Sequence, residues 1–242
     1  MSVCARSGSN FSMLDHGRSV VWRALRVADR VFDLRGWLCG SDSAPHPLAG
    51  DRAIEWSWIV ANLPALSSRV LDLGCVGSPL SCIASRLGHK VVAVDLRDIE
   101  YEMERITFVC EDLNVLNFGA RRFDVILNCS MIEHVGIEGR YGSGPRCDGD
   151  LAAMELLVEL LDRDGRMLLT IPVGRDGLYA PYHRVYGAAR LPRLLKGFAV
   201  EKEEYWHKDD RPHWTICDRN TALKTAASEQ QYALGLFVLT RS

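Results

Sequence analysis

Three acidic positions in the first half of the chain have the type and spacing to hold a ligand. The first lies in Val70-Leu71-Asp72-Leu73-Gly74-Cys75-Val76-Gly77-Ser78, where an apolar run enters a glycine-bearing turn. Glycine lets the backbone approach a ligand where a Cβ would clash. A carboxylate at that strand end, Asp72, suits a ligand's ammonium group, whereas a pyrophosphate wants amide donors and no nearby negative charge. Asp95 follows twenty-one positions after Gly74 and can accept from a pair of ribose hydroxyls. Glu111-Asp112-Leu113 supplies the third acid, with Asp112 suited to accept from an adenine amino group and Phe108 or Leu113 to pack against a ring.

A second set of candidates could handle an acceptor molecule. Asn128-Cys129-Ser130 ends an apolar run, and Glu133-His134 comes directly after it. His134 is the side chain best suited to take a proton from a hydroxyl near neutral pH. The stretch from Gly136 to Gly149 holds Arg140, Tyr141, Arg146 and Asp148 among five glycines and reads as a loop that closes over substrate. Tyr182, His183 and Arg184 can orient a hydroxylated or anionic acceptor, while Tyr186 reads as core. The polar and aromatic run Tyr205 to Trp214 reads as a lid carrying His207 and His213. These histidines have no recognised metal-ligand spacing with Glu133 or Asp148, so no metal is assigned. Trp56 and Trp58 cannot share a helix face, so one is core and the other caps the acceptor pocket. Glu55 reads by default as an exposed helix carboxylate, with reach toward that pocket as the alternative.

These residues need a sheet edge to gather them. From Arg69 onward, short β-branched runs alternate with helical stretches: RVLDLG, a helix over Leu80 to Leu87, KVVAVDL, ITFVCEDL and FDVILNCS. Strands separated by helices mean a doubly wound, mostly parallel sheet, and ligands bind such sheets at the strand ends. Asp150 to Leu161 has the spacing of an amphipathic helix, Asp164-Gly165 reads as a turn, and GRMLLTIPV as the fifth strand. Leu191 to Leu195 reads as a short helix, Ala199 to Trp206 and Tyr232 to Thr240 as the last strands. Before the sheet, Ser12 to Phe32 and DRAIEWSWIVANL have helical periodicity, separated by a loop from Gly36 to Gly50, with Asp51 as cap and Ile54, Trp58 and Val60-Ala61 facing inward.

With these pieces in order, Arg69 to Thr240 resembles the class I S-adenosylmethionine-dependent methyltransferases. VLDLGCVGS, VVAVDL, CEDL and FDVILNCSMIEHVG match the first four motifs of that family, and the Glu-His pair after the fourth strand is similar to its bacterial small-molecule and sugar branch. The resemblance implies a Rossmann-like α/β sheet of seven strands with an N-terminal helical extension. It implies S-adenosylmethionine as cofactor, held by Asp72, Gly74, Cys75, Gly77, Asp95, Leu96, Glu111, Asp112, Leu113, Asn128 and Ser130. Catalysis falls to His134, Glu133 and His183, and acceptor binding to Tyr141, Tyr182, Arg184, His207 and Trp58. The implied reaction is methylation of a small biosynthetic acceptor, most simply at oxygen; the alternative is an altered relative that uses the cofactor for another reaction or for regulation. Two departures stand out: the second and third glycines of the first motif are Val76 and Ser78. Val76 also disfavours a nicotinamide-dependent oxidoreductase, which needs G-x-G-x-x-G at that place.

Bulk composition narrows the partners. The 242 residues are 48% hydrophobic with 29 basic against 31 acidic side chains, ordinary globular values without the basic footprint of a nucleic-acid binder. Eight scattered cysteines without a CxxC pair read as reduced core residues. No run approaches the ~20 apolar residues of a membrane span, and the first thirty residues lack the apolar core of a leader. The expectation is a cytoplasmic monomer or homodimer with no nucleic-acid or membrane partner, divided into a helical cap over 1–68 and a catalytic domain over 69–242.

Overall fold

In the computed structural model, which describes residues 50–99, 103–138, 145–208 and 213–242, the apolar runs lie side by side in one sheet. Its strands are β1 (Arg69–Leu73), β2 (Lys90–Asp95), β3 (Ile106–Cys110), β4 (Phe123–Cys129), β5 (Leu161–Val173), β8 (Phe198–Lys208), β9 (Trp214–Cys217) and β10 (Ala233–Arg241). They run in the order β3-β2-β1-β4-β5-β10-β8-β9. The first five are parallel, and β10 enters antiparallel between β5 and β8. A short hairpin, β6 (Gly177–Tyr179) with β7 (His183–Val185), stands apart from the sheet. The helices are α1 (Asp51–Asn62), α2 (Leu80–Arg86), α3 (Gly149–Leu160), α4 (Arg190–Leu194) and α5 (Arg219–Lys224).

Central strands buried on both faces explain the nearly continuous apolar runs of β1 and β2, each exposed only at its first residue. One core layer packs Met154 and Leu157 of α3 and Leu191 of α4 against Leu71, Ile126 and Leu169. The other packs Trp58 and Ile59 of α1 and Leu80 and Ala84 of α2 against Val70, Val91 and Leu127. The helix α1 belongs to the same compact unit as the sheet, Pro45–Ser242, through which the expected 68/69 boundary runs. No helix among the described residues is long and apolar enough to cross a membrane.

Local differences from the sequence reading have physical causes. The main sheet has eight strands rather than seven because β9 pairs with the extended end of β8, so the supposed lid over 205–214 begins and ends in strand. Asp164-Gly165 makes no turn: β5 starts at Leu161, and the register slips between Phe123↔Leu161 and Val125↔Arg166. That bulge needs glycine, since a Cβ on Gly165 would stand 3.0 Å from Phe123 O. Gly50, with φ +92°, takes the cap position of α1, and Asp51 falls inside its first turn. The buried face of α1 is Glu55, Trp58 and Ile59, with Ile54 and Val60 partly buried against the same core, while Ala61 is exposed. Cys75 is buried, but Cys110 and Cys147 are exposed, so not all the thiols are core. The helix expected over 12–32 and the loop after it, up to residue 49, lie outside the described residues, as do Arg140 and Tyr141.

Candidate functional site

Strand order reverses at β1, whose neighbours β2 and β4 lead away in opposite directions. Parallel strands diverging there leave a crevice beyond their carboxyl ends. A cavity of about 310 Å³ occupies it, lined at one end by Gly74, Gly77, Asp95, Leu96, Asp112 and Leu113. At the other end it is lined by Asp51, Arg52, Trp56, Ser130, Glu133, His134, His183 and Tyr232. Five carboxylates in the wall, Asp51, Asp95, Glu111, Asp112 and Glu133, face two guanidinium groups, Arg52 and Arg97.

The turn after β1 shapes the first end. Gly74 has φ +70°, and a Cβ there would lie 2.7 Å from Met131 Cγ. Gly77, at φ +89°, has no atom within 4 Å of where a Cβ would stand. Between them, Val76 is tied by both peptide groups to the end of β2. Its N–H donates to Asp95 Oδ2 at 2.8 Å, and its carbonyl accepts from Arg97 Nη2 at 2.7 Å. Asp95 Oδ1 accepts from the Arg97 amide at 2.9 Å. Arg97 thus straps the two loops together, a role sequence spacing did not reveal. At the end of β3, Asp112 Oδ1 accepts from the Asn114 amide and side chain at 2.8 and 2.7 Å, leaving Oδ2 for a ligand.

Three residues expected at this end lie behind the wall instead. Asp72 is 1% exposed and accepts from Ser81 Oγ at 2.5 Å, so it secures the start of α2 rather than meeting a ligand. Burial pushes its carboxyl up to about 7, against the opposing pull of the Ser81 hydrogen bonds. Cys75 is fully buried in the core, and Asn128 spends its side-chain oxygen on the Ile132 amide at 3.2 Å. Glu111 and Ser130 do line the cavity.

The second end is built where β4 stops. Ser130 has φ +45°, a conformation unfavourable for a side-chain-bearing residue, and is held there by its amide bond to Thr170 O at 3.0 Å. Its hydroxyl donates to Glu55, which also accepts from Thr170 Oγ1 at 2.6 Å and from Arg52 Nη1 at 2.8 Å. Glu55 is therefore completely buried rather than an exposed helix carboxylate. A 3-10 turn, Ile132–His134, follows and presents Glu133 and His134 to the cavity. His134 Nδ1 lies 2.6 Å from the Tyr182 carbonyl, which can only accept, so this nitrogen carries the hydrogen. The ring's Nε2 is 3.8 Å from Glu133 Oε1. Glu133 is 2% exposed, and burial, with no hydrogen bond to its Oε2, pushes its carboxyl up to about 8.

The expected acceptor residues divide. His183 lines the cavity, its ring edge-on to Tyr232 with centroids 5.3 Å apart. Tyr182 contributes its carbonyl to His134 while its side chain is exposed. Arg184 is 3% exposed and lies outside the wall of this cavity: it donates to Val135 O at 2.5 Å, Arg146 O at 3.3 Å, Cys147 O at 3.4 Å and Glu133 O at 3.5 Å. It pins both stems of the 136–149 loop, beside Asp150, which Arg190 and Tyr186 also hold. His207 sits in β8 opposite Thr215, outside the cavity wall. Trp58 is core, with Lys202 over its ring at 5.5 Å, and the tryptophan at the cavity is Trp56. No three metal-ligating side chains converge among the described residues.

Comparison with known proteins places this geometry. The family model described as "Caenorhabditis protein of unknown function, DUF268" matches residues 88–239. A ubiquinone biosynthesis O-methyltransferase of Coxiella burnetii is 29% identical over 98 residues, 37% of this chain and 42% of the relative. The chain thus spans about two-fifths of the length of the curated relatives it matches. Among solved structures, a TehB-like SAM-dependent methyltransferase from Corynebacterium glutamicum superposes with TM-score 0.50 at 18% identity, covering 94% of this chain and 97% of that one. The PH0226 protein from Pyrococcus horikoshii gives TM-score 0.51 at 14% identity, covering 79% and 90%. The chain shares their fold.

Proposed function

We propose, for a chain that belongs to the family described as Caenorhabditis protein of unknown function, DUF268, and has the Rossmann-like class I methyltransferase fold, that it methylates a small biosynthetic acceptor from S-adenosylmethionine, most simply at a hydroxyl. The observation that carries this reading is the continuity of one cavity from Gly74, Asp95 and Asp112 to Glu133 and His134. A cofactor pocket and a proton acceptor share one space. The Coxiella relative is an O-methyltransferase, which supports oxygen as the site of transfer.

The residues present fit that cofactor. Asp95 keeps room for a ribose hydroxyl on Oδ2, which holds only the Val76 amide, and Asp112 Oδ2 is open to an amino group. Gly74 and Gly77 let the backbone approach, and Asp95, Glu111 and Asp112 at this end favour a positively charged ligand. When bound, S-adenosylmethionine supplies an electrophilic methyl group on a sulfonium. For this reaction the protein mainly provides proximity, alignment and exclusion of water. His134 Nε2 takes the proton of the acceptor hydroxyl, and the Tyr182 carbonyl at Nδ1 stabilises the imidazolium that results. Glu133, once ionised, adds an opposite charge 3.8 Å away.

Calorimetry tests the reading in two steps. S-adenosylmethionine should bind the wild type, and Asp95→Asn should weaken that binding at least about tenfold through loss of ~1.4 kcal/mol. No binding heat at millimolar cofactor would remove the proposal. His134→Ala should then lower turnover of an identified acceptor while leaving cofactor affinity in place; equal turnover would take His134 out of the mechanism.

A further inference from the structure

The acceptor end carries one side chain that methyl transfer itself does not use. Arg52, in the first turn of α1, lines the cavity with 47% of its side chain exposed. Its Nη1 donates to Glu55 Oε2 at 2.8 Å, and Glu55 is fixed in turn by the hydroxyls of Ser130 and Thr170. One edge of the guanidinium is therefore anchored to a carboxylate that the ends of β4 and β5 hold in place. Its Nε and Nη2 donate to no group among the described residues. A planar cation anchored on one edge with donors left over matches the two oxygens of a carboxylate.

Glu133, in the same wall, is held neutral by burial up to about 8, so it does not cancel the charge of Arg52. Asp51 stands next in sequence, but its oxygens accept from the Arg52 amide at 2.7 Å and from the Tyr232 hydroxyl at 3.0 Å. Arg97, the other guanidinium in the wall, is engaged at the far end with Asp95 and Val76. Trp56, Tyr232 and His183 line the same cavity as Arg52, so aromatic side chains border it. We infer that the acceptor is a planar ring bearing a carboxylate, and that the carboxylate docks on Arg52. This rests on the methyl-transfer reading and names its substrate class.

Benzoate and benzamide have the same shape and differ in charge, so they probe the inference without knowledge of the acceptor. Each is titrated by NMR into protein saturated with S-adenosylhomocysteine. Benzoate should bind the wild type at least about tenfold more tightly than benzamide. Arg52→Gln alone would leave Glu55 buried without its partner and destabilise the fold, so the informative variant is Arg52→Gln with Glu55→Gln, which removes both charges. It should bind the two probes equally, and Arg52→Lys should keep a reduced preference for benzoate. Equal binding to the wild type, a preference undiminished in the double variant, or binding of neither probe to the saturated protein overturns the inference. If S-adenosylhomocysteine itself does not bind, the methyl-transfer reading fails separately, and the same comparison in protein alone decides whether Arg52 is a carboxylate receptor.

Discussion

Glu133→Gln should change stability by an amount that grows with pH. In the unfolded chain this carboxyl ionises near 4.5, and in the folded protein burial holds it neutral up to about 8. Below the lower value both states are protonated and the folded state carries no penalty. Between the two values folding must take up a proton, so wild-type stability falls as pH rises, by about 1.4 kcal/mol for each pH unit. At pH 7 the accumulated cost is about 3 kcal/mol, and above pH 8 it levels off near ~5 kcal/mol. Glutamine keeps the shape and cannot ionise. It leaves an amide in place of an oxygen that already lacks a partner, at a cost of about 1–3 kcal/mol that does not vary with pH. The slope, not the offset, is therefore diagnostic. Urea unfolding of both proteins at pH 5, 6, 7 and 8 should show the variant gaining on the wild type throughout. A difference that stays constant across this range would refute the assignment of a buried, neutral carboxyl at the cavity.

Further substitutions separate backbone geometry from contact. Gly74→Ala should cost more than Gly77→Ala, because both carry the ~1–2 kcal/mol strain of a left-handed backbone but only the first drives a methyl group into Met131; equal thermal-unfolding shifts would contradict this. Arg184→Gln should cost about 3 kcal/mol by freeing four carbonyls and leaving Asp150 short of one partner, and hydrogen exchange should rise at 133–137 and 146–149. Unchanged exchange there would mean that Arg184 does not hold the loop stems. Trp56→Ala should weaken probe binding at the acceptor end without unfolding the protein, while Trp58→Ala should cost about 3–5 kcal/mol as a core truncation; the reverse pattern would exchange their roles.

The sheet was legible because its signal is physical and local. Strands β1, β2 and β4 are buried on both faces, which forces continuous apolar runs, and Asp72 and Asp95 toward the ends of β1 and β2 interrupt those runs visibly. What escaped reading depends on direction rather than type. Asp72 and Asp95 are both strand-end acids, yet one turns toward Ser81 and the other toward the cavity. Trp56 and Trp58 differ only by their angle on α1, and the buried Glu55 disguised which side faces inward, because a carboxylate reads as exposed until its partners are known. Those partners, Ser130 and Thr170, are 75 and 115 positions away. Arg184 and Arg97 were opaque for the same reason: an arginine that donates to distant carbonyls leaves no periodic trace.

The position of β10 between β5 and β8 constrains how the molecule can be made. Residues 161–173 and 198–208 emerge from the ribosome well before 233–241, yet each lacks its second partner in the sheet until then. For that interval β5 exposes the unpaired edge Met167–Val173, which β10 later covers, the kind of surface that recruits other chains. Closure of the sheet is thus a late event in synthesis, and substitutions in 233–241 should lower the yield of soluble protein more than comparable changes in β1 or β2.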